Sequence, residues 1–484
     1  MLELLPFSPT WVLVGLCALF LYMYLVWPFS TFKKLGIPGP KPVPLFGHYL
    51  EYGKGINIFD QECYQKYNKI YGIFEGRQPI LMIGDLDIVK AITVKGINTF
   101  TNHRDMPGQG EGKHALFFSK DETWKRLRIA MSPAFSSGKL KQLTVHIERC
   151  AEGFVSNLAE DAEHGKVFDV KELCGAFSMD VISSTAFGVE IDSLHNPDHP
   201  FIKFHAYHCS LFPKVAFPQL GKFLERFGMT VLPKKPMKFF SEAVDSVMDM
   251  RKSNSGDEKP VDFLQLMLKA HNEELDNKAS GEVAKQAGVS IKEIKGNAVL
   301  FWVAGYDTTA NTLTLTAYNL AVDQEAQDRA VQEVDAIIAK RGKLDYESVN
   351  ELTYLEMCIN ETLRMFPASQ RFDRVCKEDT EVNGLHIPEG TIVTFPVWAI
   401  HYDADIWPEP EKFKPERFSK KEKESRDPYA FLPFGAGPRN CLGMRIAMLE
   451  LKFALAKALQ KFRFVTCEKT EKFPVLSKFV QNCG

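Results

Sequence analysis

The stretch FGAGPRNCLG, Phe434 to Gly443, sets one cysteine among three glycines, a proline and an arginine. It follows the turn-prone RDPYAFLP and runs into MRIAMLELKFALAKALQKF, where Leu442, Ile446, Leu449, Phe453 and Ala456 share one helix face. A cysteine at a helix amino terminus has its thiolate favoured by the helix dipole and by unpaired backbone N–H groups. Gly435, Gly437 and Gly443 permit close backbone approach and left-handed φ angles. Together these features let a flat ring lie against the backbone while N–H groups point at the sulfur, which is what a thiolate ligand to haem requires.

Around that stretch the composition is that of a folded protein. Of 484 residues 45% are hydrophobic and 25% charged, and 37 phenylalanines predict an aromatic-rich interior. A formal net charge of −2 argues against generic nucleic-acid binding. The ten cysteines form no CxxC pair, so neither zinc knuckles nor a disulfide scaffold is expected. A reducing compartment fits most of the mass, and nine of the ten read as small buried hydrophobes.

Trp11 to Trp27, WVLVGLCALFLYMYLVW, contains no charge and no proline. As a helix it spans ~25 Å, close to the ~27 Å hydrocarbon layer of the endoplasmic reticulum. Aromatic residues at its ends read as interface anchors, and it lacks the basic n-region and small-residue cleavage site of a signal peptide. Glu3 precedes it and Lys33 and Lys34 follow, so the positive-inside rule leaves the remainder in the cytosol. The expected organisation is a single-pass membrane anchor over residues 1–30, a stiff proline-rich linker over 31–47 and one catalytic domain over 48–484.

Helical periodicity dominates that domain. Ser290 and Glu293 form an S-x-x-E capping box opening a helix from Ser290 to Leu320, apolar on all sides and therefore central. Further helices are expected at Gln324–Lys340 and Asn350–Phe366, with loops at Arg251–Pro260 and His271–Val289. Asn383-Gly384 reads as a hairpin turn between short strands. The fold class expected is mainly α with a small β region.

The pattern Phe434-x-x-Gly437-x-Arg439-x-Cys441-x-Gly443 resembles the haem-binding signature of the cytochrome P-450 superfamily. Glu361-Thr-Leu-Arg364 is similar to the family's E-x-x-R helix pair, and Arg417 in PERF to its third partner, a buried charge network with a structural role. Ala304-Gly305-Tyr306-Asp307-Thr308-Thr309 resembles the oxygen-binding segment. There Thr308 would hydrogen-bond dioxygen and Asp307 would relay protons, while Thr309 is the better candidate for a hydroxyl bonded back to the preceding turn.

By the same resemblance Trp124 and Arg128, one helical turn apart in WKRLR, together with Arg374 and Arg439, contact the haem propionates. His103 falls where relatives often have arginine. Lys125 and Arg126 read as a solvated basic face. The substrate pocket would be lined by Leu300, Val303, Ala304 and Thr308 on one helix face, joined by Phe118, Ala368, Ser369 and Gln370. The likeness runs through KKLGIPGPKPVPLFG, DFLQLM, AGYDTT, DPY and PFGAGPRNC, and points to the microsomal family 3, subfamily A, whose members oxidise steroids and foreign compounds. LFPKVAFPQLGKFLERF, Leu211 to Phe227, resembles that subfamily's membrane-dipping roof.

The resemblance implies a P-450 fold behind one transmembrane helix, with haem b (iron protoporphyrin IX) ligated by Cys441. It implies an NADPH- and O2-dependent monooxygenase of lipophilic substrates (steroids, xenobiotics, fatty-acid-like compounds) on the cytosolic face of the endoplasmic reticulum membrane. Electrons would come from NADPH-cytochrome P-450 reductase, with cytochrome b5 as a further partner, membrane lipid around the anchor and no nucleic acid. The reductase would dock on a basic patch of Lys125, Arg126, Lys139, Lys141, Arg445 and Lys452. Two alternatives are a thromboxane-synthase-like peroxide isomerase, which would not need the Asp307–Thr308 pair, and a weakly active haem-binding variant. The second rests on the carboxyl terminus SKFVQNCG, where the family's glycine turn and final strand are not recognisable.

Overall fold

The apolar amino-terminal run forms helix α1 (Pro9–Val26) in the computed structural model, which describes residues 9–106, 110–165, 167–196, 199, 234–253, 262–280 and 288–470. The segment Thr10–Lys34 is long and apolar enough to cross a membrane, and none of its apolar stretch is buried against the rest of the chain. Its carboxyl end is docked. The rings of Phe29 and Phe32 meet Phe74 edge-on at 5.0 and 5.2 Å. Phe32 lies so close to Gly72 that a Cβ there would fall 2.2 Å from the ring.

Residues 31–47 follow the sheet edge, with Ile37 buried and Gly47 bridged to both Val43 and Glu75. Helix α2 (Ile56–Tyr67) then leads to β1 (Ile70–Glu75) and β2 (Gln78–Ile83), an antiparallel pair joined at Gly76-Arg77 with Gly76 at φ 57°. The strands β3 (Phe372–Val375), β4 (Thr380–Val382), β5 (Leu385–Ile387) and β6 (Ile392–Phe395) come from late in the chain. The main sheet has the order β1-β2-β6-β3, with β2 and β6 parallel from Ile80↔Ile392, so it ties the two ends of the domain together. The hairpin β4–β5 turns at Asn383 (φ 51°) and Gly384 (φ 81°), the left-handed pair that its Asn-Gly sequence predicts.

The helical part runs from α3 (Asp121–Met131), α4 (Ser137–Glu163) and α5 (Val170–Phe187) through α6 (Lys234–Ser253) and α7 (Phe263–Ser280). It continues with α8 (Ile291–Val322), α9 (Gln324–Arg341), α10 (Thr353–Met365) and α11 (Met444–Leu459). Helix α8 opens on the expected Ser290–Glu293 capping box and has 32 residues, about 48 Å. It packs most extensively on α5 and also touches α6, α7, α9, α10 and α11, the central position its apolar surface predicts. Trp302 fixes that packing: it is fully buried, stacks on Phe187 at 3.8 Å and donates to Ser183 Oγ at 3.1 Å.

Several expectations need correction. The loop placed at His271–Val289 is helical as far as Ser280, because Glu273, Glu274, Leu275, Lys278 and Ala279 are strong helix formers. Helix α6 likewise extends through Arg251, which pairs with Asp262 at 2.5 Å. The helix expected over Asn350–Phe366 starts only at Thr353, as α10, and Asn350 instead ends a separate short helix, Tyr346–Asn350. The break is made by Glu333 of α9, whose carboxylate accepts from the N–H groups of Thr353, Tyr354 and Leu355 at 2.9, 2.7 and 3.0 Å. Of the nine cysteines read as buried, Cys63, Cys150, Cys174, Cys358 and Cys376 are; Cys17 on α1 and Cys467 near the end of the described chain are exposed. Cys209, Cys483, the expected roof over Leu211–Phe227 and the terminal SKFVQNCG lie outside the described residues.

Candidate functional site

The loop from Phe434 to Gly443 is drawn together by Cys441 N donating to Phe434 O at 2.8 Å. Gly435 and Gly437 both stand at φ above 70°. At Gly437 a Cβ would fall 1.9 Å from the Thr93 carbonyl, so the loop presses directly on the turn Ala91–Lys95 and no side chain fits between them. Helix α11 begins three residues after the cysteine, and the N–H groups of Gly443 and Met444 are directed at the sulfur. Burial pushes the Cys441 thiol up; these two donors and Arg128 act in the opposite sense. The residue nonetheless keeps exposed surface. Depth and exposure together mean that the sulfur faces an internal opening.

Three arginines gather at this loop, and none forms an ion pair with a described residue. Arg128, on α3, donates to the backbone carbonyl of Asn440 at 2.9 Å and to its side chain at 2.8 Å. Arg439 donates to the carbonyls of Thr101 (2.7 Å) and Ser119 (2.5 Å) and lies over the ring of Trp124 at 4.8 Å. Arg374, on β3, is 1% exposed, reaches the carbonyl of Asp373 at 2.7 Å and leaves its Nε without a partner. Burial lowers the pKa of Arg128, and it takes Arg374 down to about 10 and Arg439 to about 9. The described residues thus place three arginines beside one sulfur, Arg374 buried and Arg128 and Arg439 half-buried, without an ion-pairing carboxylate for any of them.

His103 stacks on Phe117 at 4.7 Å, and its Nδ1 lies 3.1 Å from Asp373. Burial lowers its pKa, against the pull of that hydrogen bond. Asp373 is also held by Arg104, which reaches on to Glu75 at 2.6 Å; Glu75 meets Arg371 at 3.0 Å, and Arg371 meets Asp60 at 2.5 Å. Burial alone would raise the Asp373 carboxyl, but the His103 hydrogen bond and the Arg104 charge hold it well below the usual range. This ladder of alternating charges braces β3, and with it Arg374, against β1 and α2. Sequence reading missed its Arg104, Glu75, Arg371 and Asp60. Only Glu75 carried a signal, a carboxylate closing the otherwise apolar strand IYGIFE.

On α8, Val303, Ala304 and Thr308 are exposed although helices surround this element, so they line internal space. Gly305 allows α5 to approach: a Cβ there would lie 2.9 Å from the Ile182 side chain. Ser178 of α5 donates to the Gly305 and Tyr306 carbonyls at 2.9 and 3.1 Å, drawing on the acceptors of the helix ladder itself. The back-bonded hydroxyl is that of Thr308, donating to Ala304 O at 2.7 Å, and Thr309 is buried. The bond back to the preceding turn, expected of Thr309, is therefore made by Thr308, which still presents its oxygen on the exposed side of α8. Leu300 is half-buried on the same helix and Asp307 is partly exposed beside Thr308. Phe118 meets Phe117 edge-on at 5.0 Å, and its loop is tied to α8 by Leu116 N donating to Asn297 Oδ1 at 2.8 Å, a link that sequence reading did not find. Ala368 and Ser369 are exposed and Gln370 half-buried in the turn between α10 and β3.

The pair on α10 is fully buried. Arg364 Nε lies 2.8 Å from Glu361, Arg417 Nε 3.1 Å from it, and Arg364 also donates to the carbonyls of His401 (2.9 Å) and Pro410 (2.7 Å). The six-residue basic patch is less open than expected. Lys452 is buried against Glu356 at 2.6 Å. Arg126, expected to be solvated, is tied to the capping-box Glu293 and to Gly288, and Lys125 and Lys141 are paired with Glu122 and Glu347. Close to Arg445 lies a surface cleft of about 400 Å³ lined by Leu140, Tyr346, Phe434, Gly435 and Met444, on the outer side of the cysteine loop.

Known proteins resemble this chain over almost its whole length. A family model described as Cytochrome P450 matches residues 37–482. Cytochrome P450 3A29 of Sus scrofa is 42% identical over 480 residues, covering 97% of this chain and 94% of the relative. Cytochrome P450 3A11 of Mus musculus is 43% identical over 470 residues (96% and 92%). Cytochrome P450 3A27 of Oncorhynchus mykiss is 40% identical over 481 residues (97% and 92%).

Proposed function

The chain belongs to the cytochrome P450 family, and from that premise we propose that Cys441 is the haem ligand of a membrane-anchored monooxygenase whose lipophilic substrates lie against α8. The enzyme class is a haem-dependent, NADPH- and O2-consuming monooxygenase. One oxygen atom enters the substrate as hydroxyl, the other leaves as water, and NADPH supplies the two electrons.

The residues fit haem b. The observation that carries the reading is the group of three arginines around Cys441, Arg374 buried and Arg128 and Arg439 half-buried, with no ion-pairing carboxylate among the described residues and one unpartnered Nε. A dianionic ring would supply the missing charge. Arg128, Arg374, Arg439, Trp124 and His103 would hold its propionates, and Cys441 would hold the metal as thiolate, with the Gly443 and Met444 N–H groups tuning it. When bound, haem supplies the iron centre at which dioxygen is activated.

The remaining roles belong to side chains. Thr308 has its proton committed to Ala304, so it offers lone pairs to the opening and would accept a hydrogen bond there. Asp307, next to it, would pass protons inward from solvent. Leu300, Val303, Ala304, Phe118, Ala368, Ser369 and Gln370 would form a mostly apolar wall that excludes water and favours steroids and foreign compounds. Glu361, Arg364 and Arg417 would brace the fold behind the cysteine loop. Reductase would dock over the cleft beside Arg445, and Lys33 and Lys34 would keep the domain on the cytosolic side of the endoplasmic reticulum.

The test is oxidation of a panel of lipophilic compounds by the full chain with NADPH and reductase. Product that requires all three components supports the reading. Rearrangement of peroxides without NADPH would replace it with an isomerase.

A further inference from the structure

Arg77 stands at the second position of the tight turn between β1 and β2. Its guanidinium lies 3.5 Å from the ring centre of Tyr24, in the last turn of α1. Its Nε is buried without a partner, and no described residue forms an ion pair with it. Glu75, two residues earlier, is already committed to Arg104, Arg371 and Tyr52. Lys33 and Lys34 are exposed and form no ion pair with a described residue, and the Lys34 ammonium lies 5.9 Å from the ring of Trp27, itself 72% exposed.

Phe29 and Phe32, clamped on Phe74, fix the height of this group relative to the end of the apolar helix. Tyr24 precedes Trp27 by three residues, ~4.5 Å along a helix axis, so the guanidinium is held at the level of the aromatic belt. A cation there is partly withdrawn from water and has no counter-charge from a described residue. The tyrosine face offsets part of that cost. What remains unsatisfied is the buried Nε, one donor of a planar guanidinium fork whose geometry matches a phosphate oxygen pair.

We propose that Arg77, with Lys34 and Trp27 nearby, is a binding site for the phosphate of an anionic lipid headgroup, one that carries no compensating cation of its own, setting the depth and tilt of the catalytic domain on the membrane. This rests on reading Thr10–Lys34 as a membrane span.

The haem-loaded full chain is placed in mixed micelles of phosphatidylglycerol and phosphatidylcholine, and retained lipids are counted by native mass spectrometry. Wild type is expected to retain phosphatidylglycerol preferentially. Arg77→Gln should lose that preference about fivefold, the order expected for one basic group at an anionic surface, and Arg77→Lys, which keeps the charge without the planar fork, should fall between. Equal preference in wild type and Arg77→Gln overturns the site. Displacement of the lipid by millimolar inorganic phosphate makes free phosphate the ligand and overturns the lipid as its source. Flotation with neutral vesicles reads the anchor separately: Arg77→Gln should float as wild type does. A wild type that does not float overturns the span and the lipid site with it.

Discussion

The hydroxyl of Thr308 donates to the carbonyl of Ala304, one turn back along α8, at 2.7 Å. Because the proton is committed to the helix, Thr308 can meet the opening only as an acceptor. Thr308→Ala is therefore expected to retain haem and substrate but to divert NADPH electrons to peroxide or water. Product formed per NADPH should fall by up to the ~10²-fold that a positioned proton-transfer group contributes. Thr308→Ser, which keeps the hydroxyl, should restore most of it. Unchanged coupling in Thr308→Ala would remove the residue from proton delivery.

Glu361 is fully buried and serves two arginines, Arg364 and Arg417. Truncating it leaves two cations in the core. Glu361→Ala should cost about 3–5 kcal/mol, the range for breaking a buried pair, and lower the denaturant midpoint of the haem-loaded protein together with its haem content. A loss below about 1 kcal/mol would show that water replaces the carboxylate.

His401 is fully buried between two backbone partners. Its Nδ1 donates to Arg364 O at 3.1 Å, and its Nε2 accepts from Leu432 N at 2.9 Å. Burial first, then the Arg364 charge, lowers its pKa to about 3, against ~6.5 in an unfolded chain. Between those values the unfolded chain takes up a proton that the folded one refuses. The stability conferred by neutral His401 is therefore complete above pH ~6.5 and lost as pH falls toward 3, with a slope of up to ~1.4 kcal/mol per pH unit. His401→Gln keeps a donor and an acceptor but does not titrate, so its stability should fall less steeply between pH 6 and 4. Identical slopes in urea titrations would contradict the assignment.

Arg374 carries an opposite pair of expectations. It is a buried cation with no ion-pair partner among the described residues, so Arg374→Met should raise the thermal midpoint of the haem-free chain. The same change should speed loss of haem to an acceptor protein. If the thermal midpoint of the haem-free chain falls while haem loss speeds up, the arginine is a structural residue and not a ligand for the propionates.

What the sequence made legible follows from where the physics is local. The Ser290 capping box, the Asn383-Gly384 turn and the approach of α11 to Cys441 each involve neighbours in the chain, and all three are present in the structure. The split before Thr353 was hidden because its cause is Glu333, twenty residues away on another helix. The ladder from Asp60 to Asp373 was hidden because its members come from α2, β1, the turn at Arg104 and the β3 region, which meet only when the sheet closes. The bond from Thr308 back to Ala304 was hidden because either threonine can bond back along α8. The strands β1 and β2 had a local signal, IYGIFE and QPILMI flanking Gly76-Arg77, which helical periodicity elsewhere outweighed.

The account stands on the sulfur of Cys441, and the most direct measurement is the absorption spectrum of the reduced, carbon-monoxide-bound protein. Wild type is predicted to give the thiolate-ligated form, and Cys441→Ser to lose it while retaining the helical circular dichroism of the fold. A thiolate spectrum that survives in Cys441→Ser, or that is missing from the haem-loaded wild type, would contradict the account.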